Sequence, residues 1–237
     1  MLLLSGNNLM QTIIITGANR GIGLELTRQY LQSNQRVVAT CRNPAAADEL
    51  ATLTSNPNLQ VVQLDVADSQ SVATFGAFIK GKVIDTLINN AGVMGGSHQS
   101  LHDMNAETWL ATFNTNTIAP LMLTSVLLEN LKLADRPRIV SVSSYMGSIS
   151  RPGTGAYAYR SSKAALNKVT QVMAEELRAE GIIACPVHPG WVRTDMGGSS
   201  ADLSVEESAG GLIAVIDNLS MAQSGRFWNW NGEELPW

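Results

Sequence analysis

Thr12-Ile13-Ile14-Ile15-Thr16-Gly17-Ala18-Asn19-Arg20-Gly21-Ile22-Gly23 joins a β-branched run to a glycine-rich turn, and an amphipathic stretch from Gly21 to Ser33 follows directly. β-Branched residues suit a strand. Glycines permit a tight turn and a close backbone approach to a diphosphate, and the free N–H groups and positive dipole end of the next helix meet the anion. The spacing is glycine, three residues, glycine, one residue, glycine, which differs from the dinucleotide pattern G-x-G-x-x-G. Taken alone it suits a dinucleotide site or a plain glycine-rich turn.

Further strand-like runs recur along the chain at 36–40, 60–64, 84–88, 138–142, 182–187 and, more briefly, 226–230. Amphipathic stretches lie between them, at Ser69 to Lys80, Ala106 to Leu131, Tyr159 to Glu180 and Val205 to Leu219. Strands apolar on both faces and alternating with helices predict a parallel sheet covered on both sides. The fold class is therefore α/β, a single-domain doubly wound sheet of about seven strands over residues 11–237. Residues 1–10 read as an N-terminal extension, Met1-Leu2-Leu3-Leu4 being too short for a signal h-region.

The composition excludes several classes. A formal net charge of −4 over 237 residues gives no electrostatic reason for a nucleic-acid partner. No apolar run reaches membrane-span length. Cys41 and Cys185 lack metal-ligand spacing, so the expectation is a reduced, cytoplasmic protein without a metal.

In a doubly wound sheet, ligands bind beyond the carboxyl ends of the strands, so the residues there carry the chemistry. The second strand ends at Arg42, and no acid follows until Asp48. An NAD site places an acid near that point, whereas Arg42 and Arg20 suit a 2′-phosphate, which favours NADP over NAD. Tyr159 and Lys163 lie four residues apart, on one helix face. A free tyrosine has a pKa of about 10, and a neighbouring ammonium favours phenolate, as proton transfer near neutrality needs. Tyr157 has Ser161 at that spacing instead. Ser143-Ser144 ends the fifth strand, where a hydroxyl can bond a carbonyl oxygen as negative charge develops on it.

These motifs together resemble the short-chain dehydrogenase/reductase family, from about residue 11 to the end. Thr16 to Gly23 meets T-G-x-x-x-G-x-G, Asn89 to Gly92 meets N-N-A-G, Tyr159 to Lys163 meets Y-x-x-x-K, and Pro189 to Thr194 meets P-G-x-V-x-T. The resemblance implies a Rossmann fold and a catalytic set of Ser144, Tyr159, Lys163 and Asn116. Tyr159 is then the acid/base, Lys163 lowers its pKa and holds the nicotinamide ribose, Ser144 orients the carbonyl, and Asn116 anchors a water. The implied cofactor contacts are Gly17, Asn19, Arg20, Gly21, Ile22, Gly23, Arg42, Asp65, Val66, Asn90, Ala91, Gly92, Pro189, Gly190, Val192 and Thr194, with Tyr159 and Lys163. His188 reads as packing.

The C-terminal run Gly225 to Trp237 resembles the branch that includes bacterial C-factor-like proteins and the sniffer carbonyl reductases. The resemblance implies hydride exchange between NADP(H) and an aldehyde, ketone or alcohol; nucleotide sensing or signalling on the same fold is the alternative. It also implies a homodimer or homotetramer built on the long helices. The loop Arg151 to Gly155 is expected to flank the substrate, and the short Asp195 to Ser204 segment predicts an open pocket. Trp191, Trp228, Trp230 and Trp237 are candidates for a substrate wall, with packing the expectation for most.

Overall fold

The β-branched run forms strand β1 (Thr12–Thr16), and the turn after it leads into helix α1 (Gly21–Gln32). The computed structural model describes residues 10–237, so the expected N-terminal extension lies, Met10 apart, outside the described residues. The chain continues through β2 (Arg36–Cys41), α2 (Asp48–Ala51), β3 (Leu59–Gln63), α3 (Ser69–Ile79) and β4 (Thr86–Asn89). It then runs through α4 (Ala106–Phe113), α5 (Ala119–Leu131), β5 (Arg138–Val142), α6 (Tyr157–Glu176), β6 (Ile183–His188), α7 (Val205–Asn218) and β7 (Trp228–Asn229). All seven strands are parallel, in the order β3-β2-β1-β4-β5-β6-β7. The reversal between β1 and β4 opens the crevice where such sheets bind ligands.

β1 explains why both faces are covered. Ile13 and Ile15 join a core with Leu26 of α1 and Leu212 of α7, whereas Ile14 joins the opposite core with Leu127 of α5 and Met173 of α6. Alternate residues of a strand face opposite ways, so three consecutive buried isoleucines require two apolar layers. Ile14 is fully buried, and Ile14→Val is expected to cost about 1 kcal/mol in denaturant unfolding, with the fold unchanged.

Several boundaries differ from the sequence expectation. The stretch Ala106 to Leu131 is not one regular helix: a wide π turn, Asn114–Ile118, separates α4 from α5. Pro120 has no N–H to give the carbonyl four residues back, that of Asn116, so the regular ladder fails there. The helix bearing Tyr159 starts two residues earlier, after Ala156 at φ 51°, and a separate 3₁₀ turn takes up Arg178–Glu180. The last strand keeps only Trp228 and Asn229. Short turns at Asp48–Ala51 and Tyr145–Gly147 had no periodic signal.

Helix caps separate structural ends from ends that face the crevice. Asp68, Asn105 and Ser204 accept backbone N–H groups at the starts of α3, α4 and α7. At α1 and α6 the residues before the helix are Arg20 and Ala156, and neither supplies a side-chain cap.

Candidate active site

The uncapped start of α1 is the first element of the site. Gly17 and Gly21 have φ of 65° and 54°, a left-handed conformation that favours glycine. A Cβ on Gly23 would lie 2.4 Å from the Gly17 carbonyl oxygen and 2.5 Å from Asn90 Nδ2, so no side chain fits there. Asn90 Nδ2 donates to the carbonyls of Thr16 and Gly17 at 2.9 and 3.2 Å, and Thr16 Oγ1 accepts from the N–H groups of Asn90 and Ala91, each at 3.0 Å. The N-N-A-G segment thus braces the glycine turn. With its helix N–H groups free of side-chain caps, this cradle fits a diphosphate.

Elements remote in sequence complete the crevice. Thr194 lies over the turn, its Cγ2 3.3 Å from where a Gly21 Cβ would stand. Beyond it, Asp195 takes the Arg20 guanidinium in an exposed ion pair of 2.9 Å. Arg20, expected from sequence to suit a 2′-phosphate, is thus paired with a carboxylate in this structure. Arg42 is exposed at the end of β2. Asp65 and Val66 are half-buried beyond neighbouring β3, where Asp65 Oδ1 accepts from Ala67 N. Pro189 and Gly190 follow β6, with the Pro189 carbonyl accepting from Ser208 Oγ at 2.6 Å; Val192 is buried and bridges to Leu203. Asn19 and Ile22 are half-buried in the turn.

At the ends of β4 and β5 the structure brings Ser144, Tyr159, Lys163 and Asn116 together. Tyr159 is 8% exposed and Ser144 is 7% exposed, so both reach the crevice from the protein interior. Gly147 lets this happen: a Cβ there would stand 2.7 Å from the backbone of Lys163, so the turn after Ser144 sits directly on α6. Burial pushes the Tyr159 phenol above its ordinary value, offset in part by a hydrogen bond with the Ser144 side chain. Lys163 Nζ lies 5.9 Å from the Tyr159 ring centre. Its ammonium donates to the Val142 carbonyl at 2.7 Å, and burial pulls its pKa down to about 8.

Asn116 has no exposed surface, in contrast to the solvated side chain usual for a polar residue within a helix. It closes a two-way bridge with Val93, accepting from its N–H at 2.9 Å and donating to its carbonyl at 2.8 Å, and it also donates to Ser162 Oγ at 3.0 Å. The π turn places it so that Asn116 Oδ1 and Lys163 Nζ both face Gly92. His188 is a neutral packing residue, its pKa drawn down to about 4 by burial and by the Arg151 charge.

With this geometry in place, the comparison with known proteins is direct. The short chain dehydrogenase family model matches residues 11–203. The chain belongs to the short-chain dehydrogenase family. Among curated proteins it is 44% identical to the C-signal of Myxococcus xanthus over 155 residues, covering 65% of this chain and 93% of that protein. The NADPH-bound carbonyl reductase from chicken fatty liver is 38% identical with a TM-score of 0.90, covering 96% of this chain and 99% of that one. The carbonyl reductase Sniffer of D. melanogaster is 36% identical with a TM-score of 0.91, covering 96% and 100%. Like its relatives, this short-chain dehydrogenase is an oxidoreductase of CH–OH and C=O groups.

Sequence reasoning missed Gln99, a buried side chain in the loop after β4. Its Oε1 accepts from the Tyr159 N–H at 3.1 Å, while its Nε2 donates to the carbonyls of Met94 and Gly96 at 2.8 and 3.0 Å. Gln99 thus replaces the cap that Ala156 cannot provide, from 60 residues away. Only the missing local cap before Tyr157 could have hinted at it. Gln99→Met keeps the volume but leaves these backbone groups unpaired; kcat is expected to fall about tenfold, with cofactor affinity nearly unchanged, as read by steady-state kinetics and cofactor titration.

The tryptophans divide. Trp228 is buried, Trp230 packs on the core beside β7, and Trp191 is half-exposed. Trp237 stacks on Phe227 with ring centres 6.0 Å apart. Its carbonyl accepts from Ser150 N, and that of Pro236 accepts from Ser148 Oγ, so the C-terminal segment rests on the loop after Ser144. No helix of the described residues is long and apolar enough to cross a membrane.

Proposed function

We propose that this short-chain dehydrogenase reduces an aldehyde or ketone with NADPH, Tyr159 giving the proton to the carbonyl oxygen. The observation that carries the reading is the convergence of the nearly buried Tyr159 and Ser144 side chains with Lys163 and Asn116 at the edge of the crevice. Reduction needs a protonated phenol, the ordinary state of a tyrosine near neutrality, and burial of Tyr159 favours the same state.

NADPH, when bound, supplies the hydride. Its diphosphate would lie on the Gly17–Gly23 turn and the start of α1, with the adenine end toward Arg42, Asp65 and Val66. Its nicotinamide end would lie toward Asn90–Gly92, Pro189, Gly190, Val192, Thr194 and the Tyr159–Lys163 pair. Ser144 donates a hydrogen bond to the carbonyl oxygen as charge builds on it. Tyr159 then transfers its proton to that oxygen, and Lys163 with Asn116 supports its replacement from solvent. Support for NADP over NAD comes from Arg42 at the end of β2, the absence of an acid before Asp48, and the NADPH-bound relative from chicken. The Arg20–Asp195 pair is exposed at both ends and is free to exchange for a 2′-phosphate.

Screening carbonyl compounds while following NADPH and NADH absorbance tests the reading. Turnover with NADPH exceeding that with NADH is expected; absence of turnover across aldehydes and ketones would count against it. A second reading, signalling without turnover, draws on the 44% identity to the C-signal. The exposed apolar side chains Leu110, Ile118 and Met122 along α4 and α5 support assembly as a dimer or tetramer, and the buried free thiols Cys41 and Cys185 fit the cytoplasm.

A further inference from the structure

The loop between Ser144 and Tyr159 carries a guanidinium that forms no ion pair among the described residues. Arg151 is exposed, and its guanidinium carbon sits 4.3 Å from the ring centre of Tyr145, the residue next to Ser144. The Tyr145 ring is also 6.0 Å from that of His188, at the end of β6. Arg151 therefore stands at the carboxyl edge of the sheet, held by an aromatic platform beside the candidate catalytic serine. Arg160, next to Tyr159, packs under the same loop: a Cβ on Gly153 would lie 2.3 Å from its Nη2. Its Nε is buried with no hydrogen-bond partner among the described residues.

Among the described residues, neither guanidinium has a carboxylate within 4 Å. The sequence around them is one-sided. From Arg136 to Ala174 there are Arg136, Arg138, Arg151, Arg160, Lys163 and Lys168 but no Asp or Glu, in a chain of net charge −4. The loop after the candidate catalytic serine and the start of α6 thus carry two guanidiniums with no carboxylate partner among the described residues. Such groups match the planar, bidentate geometry of a carboxylate, and a guanidinium already fixed by stacking loses little freedom on binding one.

We propose that Arg151, supported by the charge of Arg160, binds a carboxylate on the substrate, so that this site prefers carbonyl compounds that are also carboxylic acids. The proposal rests on the carbonyl-reductase reading above and names its substrate class. It also assigns the loop Arg151–Gly155 a role in specificity rather than in hydride transfer.

The test compares kcat/KM, with NADPH, for 4-formylbenzoate and 4-formylcinnamate against their methyl esters, in the parent and in Arg151→Met. The two acids place the charge at different distances from the aldehyde. The parent is expected to prefer at least one acid over its ester by roughly ten- to hundredfold, mainly through KM, and 0.5 M salt should shrink the preference. Arg151→Met should abolish the preference, and Arg151→Glu should invert it. Turnover of the esters without preference for either acid overturns the inference and leaves the carbonyl-reductase reading standing. A preference that survives in Arg151→Met overturns the assignment to Arg151. If none of the four aldehydes is turned over while other aldehydes or ketones are, the inference falls and the carbonyl-reductase reading stands.

Discussion

Tyr159→Phe is expected to lower kcat/KM for carbonyl reduction by about 10²–10⁴-fold, the usual contribution of a positioned proton donor. The substitution removes one oxygen and keeps the ring, which is almost wholly buried. The fold should be preserved, because the N–H that Gln99 holds belongs to the backbone. Cofactor affinity should change little, since the diphosphate cradle is made by the glycine turn and its Asn90 brace. Single-turnover kinetics with NADPH and a fluorescence titration of the cofactor separate the two quantities. Unchanged turnover in the variant would remove Tyr159 from the mechanism. A protein whose task is to sense the nucleotide would keep that task in Tyr159→Phe.

Lys163→Met is expected to lower kcat/KM about 10²-fold, by removing a preorganised cation from a nearly dry site. Methionine keeps much of the apolar stem, so the loss reports on the charge. The same variant has a pH signature. Burial holds the folded-state pKa of Lys163 at about 8, below its ordinary value of 10.5. The unfolded chain therefore binds more protons between those values, and this group makes the parent more stable as pH rises from 8 toward 10.5. Below pH 8 its full desolvation cost is present. Urea unfolding of parent and variant at pH 7 and pH 9.5 should show their difference moving in favour of the parent at the higher pH. A difference independent of pH would mean that burial does not depress the Lys163 pKa, the group staying charged in the folded and unfolded chain alike.

The two variants also mark where local spacing stopped being informative. An i, i+4 pair puts Tyr159 and Lys163 on one face of α6, but spacing says nothing about solvation. Burial, set by β5 and the turn at Gly147, raises the Tyr159 pKa and lowers that of Lys163. The hydroxyl of Ser144 opposes the shift at Tyr159. Arg20 offers a similar lesson. Its place in the turn suggested a partner for a 2′-phosphate, and only the folded chain brings Asp195 to it across 175 residues.

Gln99 and Asn116 fall further from the reach of a sequence. Asn116 lies in what looks like an ordinary helix, and the wide turn at Asn114–Ile118 is what carries it inward to Val93 and Ser162. Gln99 sits in a loop without periodicity and acts as a cap for a helix far along the chain. By itself the sequence determined the alternation of strands and helices, the parallel sheet and the glycine turn. Those features depend on residue type and short-range period, which apolar burial and backbone sterics read directly. The raised pKa of Tyr159, the pairing of Arg20 and the stacking of Arg151 on Tyr145 were decided only by tertiary structure. Each depends on which distant dipoles and charges end up within a few ångströms, and on how much water is excluded between them.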